Sequence, residues 1–491
     1  MITLASSSLH ANFEKDRIRR HIQTLASKEF EGRAPLSPGE QKTITYLTSE
    51  YRSLGLKPLP GTNQFDADVP ICTVKTKAKA NGIRFANATL VPNVDIALQS
   101  NSKKPNLALQ NVDVVFVGYG IVSEKWNWND YANVDVKGKI VVTLVNDPGF
   151  ATGDSSLFNG KDMTYFGRWT YKFEEAKRQG AIGAFVIHED AAAGYGWDVV
   201  STRDDGHAIL DEGKETDSFP LQGWLHANAA RKLFAQLGLD FEIEKRKAAS
   251  RGYIPVKFHK GAFSINADNS VTCGKSKNLC GMIEGKTSPQ EFILVSAHWD
   301  HLGKKVGGDG QTHIFPGAID NASGVAAMLE IANYFKNKDL KRSLAFCSFA
   351  AEEQGLLGAY HFLQSTPMPL KQIHGMINFD CMNMGEPNKE IVGYGDSDNP
   401  LMALLTEKAK QQGRRVISDP NGEKGYFFRS DHYPFVMLNV PALLYMDIGF
   451  SDPDYLKNGY HKESDVYKPS WTLNGFVQDL NLYASIIEEL L

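Results

Sequence analysis

The chain has 491 residues, which is too long for one ordinary domain, so we expect two or three folding units. Hydrophobic residues make up 42% and charged residues 22%, a balance typical of a soluble globular protein with a sizeable core. The formal net charge is −4 without a clustered basic stripe, and no apolar run approaches the ~18 residues of a membrane-spanning helix, so we expect neither a nucleic-acid partner nor a membrane span.

The amino-terminal region begins with a short apolar segment and two predicted helices. Met1–Ala11 lacks the basic start and long apolar core of a complete signal peptide, so we expect a trimmed remnant of one or a frayed terminus. A helical pattern follows at residues 18–25. In the second helix Ser37 fits the N-cap, Pro38 the first helical position and Glu40 a capping box.

The middle of the chain changes from loop-like to strand-like composition. Residues 57 to about 105 are predicted to be loop-rich, and residues 171–179 form one amphipathic helical pattern. Short β-branched runs bounded by Gly, Asp or Pro predict strands at 112–117, 140–145 and 185–187. Strands with few helices therefore indicate a separate β-rich insert over residues 110–255.

From about Lys277 the pattern becomes strand, loop and helix, repeated. Helical stretches are predicted at 325–335 and 471–491. Short apolar runs typical of central strands occur at 292–297, 344–350, 376–379 and 442–446. We therefore expect an α/β fold in which helices sandwich a central mixed sheet. Residues 1–109 form its N-terminal part, residues 110–255 the insert and residues 256–491 the rest.

The cysteines give limited information about metal binding and redox state. None of the five forms a CxxC pair, so a thiolate zinc site is not expected. Cys273 and Cys280 are close enough in sequence to close a small disulfide loop, and the alternative is two free, partly buried thiols. The sequence leaves both possibilities open.

Acidic and histidine residues follow the predicted strands. Ligand sites in open α/β sheets lie beyond the carboxyl ends of the strands. Each of these residues alone has an ordinary explanation as an N-cap, a turn residue or a structural histidine, but their joint placement favours a site for a divalent metal ion. The residues are His298, Asp300 and His301 after the first strand, Asp320 before the 325–335 helix, Glu352 and Glu353 after the second strand, Asp380 after the third, and His461 in a polar loop.

Four motifs, at residues 298–303, 317–324, 351–358 and 460–461, resemble the signatures of the co-catalytic two-zinc aminopeptidases. That family includes bacterial leucyl-type and vacuolar aminopeptidases and, more distantly, glutamate carboxypeptidase II. Residues 110–255 also resemble the protease-associated domain that many members carry as an insert. Glu31-Gly32-Arg33 resembles the family's amino-terminal segment.

The resemblance implies a role for each site residue. Two zinc ions would be bound per chain, and cobalt or manganese would suit the same carboxylate and imidazole ligands. Tyr426, Phe428 and Tyr433 are candidates for the substrate pocket, although aromatic clusters are more often packing. By the resemblance, Asp320 bridges the two ions, His298 and Asp380 complete one site, Glu353 and His461 complete the other, Glu352 is the general base and Asp300 orients His298.

The predicted function is metal-dependent removal of the N-terminal residue, an apolar one, from peptides with a free N-terminus, by a secreted or periplasmic enzyme. One alternative is another enzyme on the same fold: a metallocarboxypeptidase, for which Arg429 and Lys424 would supply a basic pocket, a dipeptidase or a single-zinc glutaminyl cyclase. The other alternative is a non-catalytic binding module that keeps the scaffold. The sequence decides neither the oligomeric state nor the role of the insert.

Overall fold

The computed structural model describes residues 13–201, 206–213, 218–307, 310–395 and 398–491. Met1–Ala11, where we expected a signal-peptide remnant or a frayed terminus, lies outside these residues. The chain divides into two compact units. The first comprises the chain up to Val69, Lys275–Asp419 and Arg429–Leu491, and the second comprises Pro70–Gly274 and Pro420–Phe428. The second unit extends beyond the expected insert at both ends, because its boundaries fall inside two long strands.

The first unit is built on a mixed sheet of five main strands. They are β1 (Phe263–Ile283), β2 (Ser288–His298), β3 (Arg342–Phe349), β4 (Ile373–Asp380) and β5 (Ala442–Met446). Their order is β1-β3-β2-β4-β5. Strands β2 to β5 are parallel to one another, and β1 pairs antiparallel with β3 through Leu279–Ile283. This confirms the predicted α/β fold class with a central mixed sheet.

Helices flank this sheet, and their positions follow from apolar runs in the sequence. Nearly all residues of β3, β4 and β5 are buried, as expected for strands covered on both faces. The helices are α1 (Lys15–Leu25), α2 (Pro38–Ser53), α3 (Gly324–Phe335), α4 (Leu357–Ser365), α5 (Pro400–Gln411) and α6 (Asn474–Leu490). The α3 helix is buried along most of its length and packs on β2 and β4.

Shorter elements complete the first unit. Helical turns lie at Lys28–Phe30, Ala318–Ser323, Leu370–Gln372, Tyr433–Met437 and Pro453–Asn458. Short strands lie at Lys57–Pro58, Gly303–Val306, Thr312–Phe315, Glu390–Val392 and Arg415–Ile417. Among the described residues, no helix is both long and apolar enough to span a membrane.

The start of α2 confirms the predicted cap. The Ser37 hydroxyl oxygen accepts a hydrogen bond from the Glu40 backbone N–H at 3.3 Å. In return the Glu40 carboxylate accepts from the backbone N–H of Leu36, one residue before the N-cap position of a standard capping box. The helix therefore begins at Pro38, as expected from the sequence.

The second unit contains a six-stranded sheet with more helices than the sequence suggested. In spatial order its strands are Val256–Lys257, Val114–Phe116, Ile140–Leu144, Gly183–His188, Leu221–His226 and Ile96–Ser100. The four inner strands are parallel. Parallel neighbours need crossover connections, which explains the helices between them. The crossover helices are Pro148–Thr152, Trp169–Arg178, Asp190–Ala193 and Asp198–Ser201, with a helical turn at Tyr165–Gly167. After the last parallel strand come the helices Ala227–Ala235 and Phe241–Ala248, and the helical turns Gly422–Lys424 and Tyr426–Phe428 also belong to this unit.

The expectation of a loop-rich stretch at residues 57–105 is wrong. A strand of 20 residues, Asp66–Phe85, runs through it and lies next to β1 in the sheet. Much of this strand is polar and partly exposed, so it lacks the apolar run by which a buried strand is recognised. The remaining short strands of this unit are Ala88–Thr89, Asn106–Val112, Val122–Ser123, Trp128–Asn129 and His207–Leu210.

Two disulfides join cysteines that are distant in sequence. Cys72 pairs with Cys273 in the second unit, with Cα atoms 4.0 Å apart, and Cys280 pairs with Cys347 in the first unit, at 4.2 Å. The Cys273–Cys280 loop that the sequence left open is therefore wrong. Both residues lie on β1 seven positions apart, which places them about 23 Å apart and on opposite faces of the strand. Cys381 is the free, buried cysteine.

Candidate metal centre

The predicted site residues meet at the carboxyl edge of the first unit's sheet. Strand β2 ends at His298, β4 ends at Asp380, and the pair Glu352 and Glu353 follows β3. Asp320 lies in the turn Ala318–Ser323 that leads directly into α3. The loop before α6 contributes His461, with the left-handed φ of 58°. The structure thus brings together all six residues that the resemblance placed at the metal site and its general base.

Asp320 lies between the two histidines. One carboxylate oxygen, Oδ1, is 3.4 Å from His298 Nε2, and the other, Oδ2, is 3.3 Å from His461 Nε2. Asp320 is only 3% exposed and His298 is buried, so water screens their contact little, whereas the side chain of His461 is 36% exposed. A single carboxylate thus faces two different imidazoles, one with each oxygen, which is the geometry of a ligand shared by two ions.

Two outer carboxylates complete the donor sets. Asp380 Oδ1 is 3.6 Å from His298 Nε2, and Glu353 Oε2 is 3.2 Å from His461 Nε2. Donor atoms about 2.0–2.2 Å from one tetrahedral zinc ion lie about 3.3 Å from each other. The four imidazole–carboxylate distances match that spacing, and the donors are the nitrogen and oxygen atoms that zinc prefers. The residues present therefore fit two ions that share Asp320.

Glu352 lies beside these donor sets. Its Oε2 is 4.0 Å from His298 Nε2, and its side chain is 10% exposed. Burial raises the pKa of Glu352 well above its ordinary value; His298 opposes this shift, and the nearby carboxylates of Glu353 and Asp380 reinforce it. A carboxyl group in this environment has a high affinity for a proton at the edge of the site.

The contacts of Asp300 differ from those expected. We expected its carboxylate to orient His298, but His298 Nδ1 lies 3.1 Å from the backbone carbonyl oxygen of Asp300 and 3.8 Å from Oδ1. The carboxylate instead accepts hydrogen bonds from the backbone N–H groups of Glu352, at 3.1 Å, and Glu353, at 3.4 Å. Asp300 therefore holds both the imidazole and the glutamate pair, the first with its main chain and the second with its side chain.

A chain of buried hydroxyl and amide groups that the sequence did not reveal supports Asp380. Ser430 donates its hydroxyl hydrogen to Asp380 Oδ2 at 2.7 Å. Asn378 Nδ2 donates to Ser430 Oγ at 2.7 Å, and Ser296 Oγ donates to Asn378 Oδ1 at 2.6 Å. Polar residues inside the apolar strands β2 and β4 were the available signal for this chain.

Two further buried acids at the site were not recognised from sequence. Asp465 accepts hydrogen bonds from the backbone N–H groups of Ile319, at 2.9 Å, and Asp320, at 3.1 Å, and from the Tyr455 hydroxyl. Asp431 is fully buried, and no hydrogen-bond partner for its carboxylate is found among the described residues. Burial raises the pKa of Asp431 well above its ordinary value.

The proposed substrate-pocket residues fall in different units. Tyr433 begins the helix Tyr433–Met437 in the first unit and is mostly buried. Tyr426 and Phe428 belong to the second unit, where the Phe428 ring centre lies 5.9 Å from that of Tyr165. Their part in a pocket stays a prediction.

His301, which we expected beside the ligands, has Nδ1 2.7 Å from Glu353 Oε1.

The chain is similar in sequence to a family of peptidases and to zinc metalloproteases, which is consistent with a metal site at these residues. Residues 278–485 match the model of peptidase family M28. A probable zinc metalloprotease of Pyrenophora tritici-repentis is 36% identical over 105 residues, which is 21% of this chain and 24% of that protein. Aminopeptidase YwaD of Bacillus subtilis is 34% identical over 195 residues, or 39% of each protein. The chain thus spans well under two thirds of these relatives.

The fold extends the similarity over the whole chain. The solved structure of an aminopeptidase from Aneurinibacillus sp. strain AM-1 aligns with 98% of this chain and 94% of its own, with a TM-score of 0.56 at 18% identity. Such a likeness shows a shared fold. That the second unit is a protease-associated domain stays a prediction. The region that matches the peptidase family M28 model, residues 278–485, contains every residue of the candidate centre.

Proposed function

We propose that this protein is a two-zinc aminopeptidase that removes N-terminal residues from peptides. The observation that carries the proposal is the position of Asp320, whose two oxygens face His298 and His461 at 3.4 and 3.3 Å. His298 and Asp380 would hold one ion with Asp320, and Glu353 and His461 would hold the other. The family match and the aminopeptidase relative support the reaction class.

The residues around the centre have distinct tasks in this reaction. When bound, a pair of zinc ions supplies a Lewis acid for the scissile carbonyl and makes water more acidic. Glu352 accepts the proton of the attacking water at its carboxylate and delivers it to the leaving amine. Asp300 keeps Glu352 in place through the Glu352 N–H, and the Ser430 hydroxyl holds the Asp380 carboxylate in one orientation.

The choice of an aminopeptidase over a carboxypeptidase rests on the relatives. Aminopeptidase YwaD is 34% identical over 195 residues, whereas a probable glutamate carboxypeptidase of Arabidopsis thaliana is 25% identical over 182 residues. With two zinc ions bound, their positive charge would offset the carboxylates of Asp320, Glu353 and Asp380, so the preference for a free N-terminus is assigned from the more similar relative.

The test is metal analysis combined with a substrate panel. We expect two equivalents of zinc and cleavage of aminoacyl anilides, strongest with apolar residues such as Leu, that stops after chelation and returns with zinc. The N-acetylated anilides should not be cleaved. Cleavage only of peptides with a free C-terminal carboxylate would instead identify a carboxypeptidase, and full zinc occupancy without cleavage would identify a binding module.

We also propose that the protein works in an oxidising compartment, either secreted or periplasmic. Two disulfides support this, because disulfides persist in such compartments and are rare in the reducing cytosol. Expression with and without export into an oxidising compartment tests the proposal. We expect folded, active protein in good yield only from the exported form.

A further inference from the structure

Arg33 is a fully buried cation beside the candidate centre that the reaction does not use. Its side chain is 0% exposed, and its hydrogen-bond partners among the described residues are backbone carbonyl oxygens. Nε donates to Trp299 at 2.8 Å, Nη1 to Leu25 at 2.7 Å and Pro316 at 2.5 Å, and Nη2 to Gly317 at 2.8 Å.

Three of the four carbonyls bound by Arg33 belong to the two loops that carry metal-site residues, and the fourth, that of Leu25, lies at the end of α1. Trp299 directly follows His298, and Pro316 and Gly317 lie just before Asp320. The guanidinium is planar and rigid, so hydrogen bonds from its three nitrogens fix the distance between these loops. Arg33 thereby joins the segment that ends in His298 to the segment that leads to Asp320.

The segment before Asp320 is held from a second side by Asp465. Its carboxylate accepts from the N–H groups of Ile319 and Asp320, while Arg33 binds the carbonyls of the preceding residues. The amino-terminal segment itself is held closely, because a side chain at Gly32 would lie 2.4 Å from the carbonyl oxygens of Gly303 and Phe315. The loop geometry is therefore set by contacts that reach far along the chain.

We propose that Arg33 is a positioning residue of the metal centre, which holds the His298 and Asp320 loops at the separation that two ions require. The inference rests on the two-zinc site proposed above. Arg33 touches no ion and no substrate in this role. It acts through the main chain of its neighbours.

The positive charge of Arg33 and its hydrogen bonds have opposite effects on the zinc affinity of the centre. Burial lowers the pKa of Arg33 to about 10, and the carboxylates of Asp465, Asp320 and Asp300 oppose this shift, so the group is charged at neutral pH. A buried positive charge near the centre repels zinc, and its removal alone would strengthen zinc binding. Loss of the hydrogen bonds from the guanidinium group to the two loops would weaken zinc binding. The two effects therefore have opposite signs and are separable.

The experiment measures zinc dissociation constants of the full chain by competition with a chromophoric chelator, for the wild type, Arg33→Lys and Arg33→Met. Lysine keeps the charge but cannot bridge carbonyls on separate loops with one nitrogen. We expect the dissociation constant to rise at least tenfold in Arg33→Lys and in Arg33→Met. In Arg33→Lys, added zinc should restore kcat with KM unchanged.

Arg17→Met is the matched control. Arg17, on α1, forms a two-pronged ion pair with the buried Glu330 on α3, and its further side-chain hydrogen bond is to Glu14. Its removal should lower the melting temperature while the zinc dissociation constant stays within twofold of the wild type. If Arg33→Met does not fold, Arg33→Lys carries the test.

Zinc affinity of Arg33→Lys equal to the wild type, or tighter binding by Arg33→Met, would overturn the proposal, because charge alone would then explain the residue. An equal loss of affinity in Arg17→Met would also overturn it, since general destabilisation would suffice. A wild type that binds no zinc would instead refute the two-zinc function itself, and this is measured first.

Discussion

At the scale of single residues, adjacent carboxylates have different environments. Glu353 lies 3.2 Å from His461, and opposite charge nearby lowers the pKa of Glu353 against the effect of burial. Glu352 lies 4.0 Å from the nearest imidazole, and burial raises the pKa of Glu352. One side chain of the pair is thus suited to hold a cation and the other to hold a proton.

Glu352→Gln tests this division of roles. The amide has the same shape but cannot take a proton, so we expect kcat to fall about 10²–10⁴-fold with two zinc ions still bound. The measurements are steady-state kinetics and zinc content after dialysis. Glu353→Gln is the control and should lose zinc. Loss of zinc from Glu352→Gln would show that Glu352 is a ligand instead.

At the scale of elements, the first two helices depend both on local contacts within a helix and on tertiary contacts between the helices. In α2 the cap is local, because Ser37 and Glu40 are three residues apart. In α1 the buried face includes His21, which is 2% exposed and has Nδ1 2.6 Å from the Tyr46 hydroxyl oxygen of α2. The helix pattern is readable from sequence, but the burial of His21 depends on the second helix.

Ser37→Ala removes the α2 cap. A lost N-cap hydroxyl costs about 1 kcal/mol of stability, so we expect a reduction of this size in the free energy of unfolding of the first unit. Chemical denaturation followed by circular dichroism measures it. Thr45→Ala is the matched control, since Thr45 is exposed in the same helix. Equal effects of both substitutions would show that the cap contributes nothing.

His21 gives a prediction for pH dependence. Burial lowers the pKa of His21 to about 3, below the value of about 6.5 for an unfolded histidine. The unfolded state therefore binds more protons between these values, so this contribution is present above pH 6.5 and is lost as pH falls toward 3. In His21→Gln the free energy of unfolding should decrease less steeply from pH 6.5 to 4.5. Parallel pH profiles of the two proteins would contradict the prediction.

At the scale of the whole molecule, the disulfides connect distant parts of the chain. The Cys72–Cys273 bond closes a sequence separation of 201 residues and joins strands at the two ends of the second unit. The Cys280–Cys347 bond links β1 to its sheet neighbour β3. Such bonds stabilise a fold chiefly by restricting the unfolded chain.

Thiol titration of the denatured protein tests the pairing. Without reductant we expect one reactive thiol per chain, from Cys381, and five after reduction. Peptide mapping should recover Cys72 linked to Cys273. Three thiols would show that one disulfide is absent, and a Cys273–Cys280 peptide would contradict the pairing directly.

The sequence by itself determined the α/β class, the main helices and strands of the first unit, and the residues of the candidate centre. These features are local, because apolar runs mark buried strands and caps mark helix starts. His298 and Asp380 end their strands, and Glu353 lies four residues after the end of β3, so these side chains meet where the carboxyl ends of the strands form one edge.

Only the tertiary structure decided which atoms face each other. Asp320 contacts His461, which is remote from it in sequence. Arg33 donates hydrogen bonds to loops that are 266 to 284 residues away, and the disulfide Cys72–Cys273 likewise joins distant segments. The strand Asp66–Phe85 likewise depends on its neighbour β1 more than on its own composition. Such contacts leave no local pattern, because burial and pairing are properties of the folded chain.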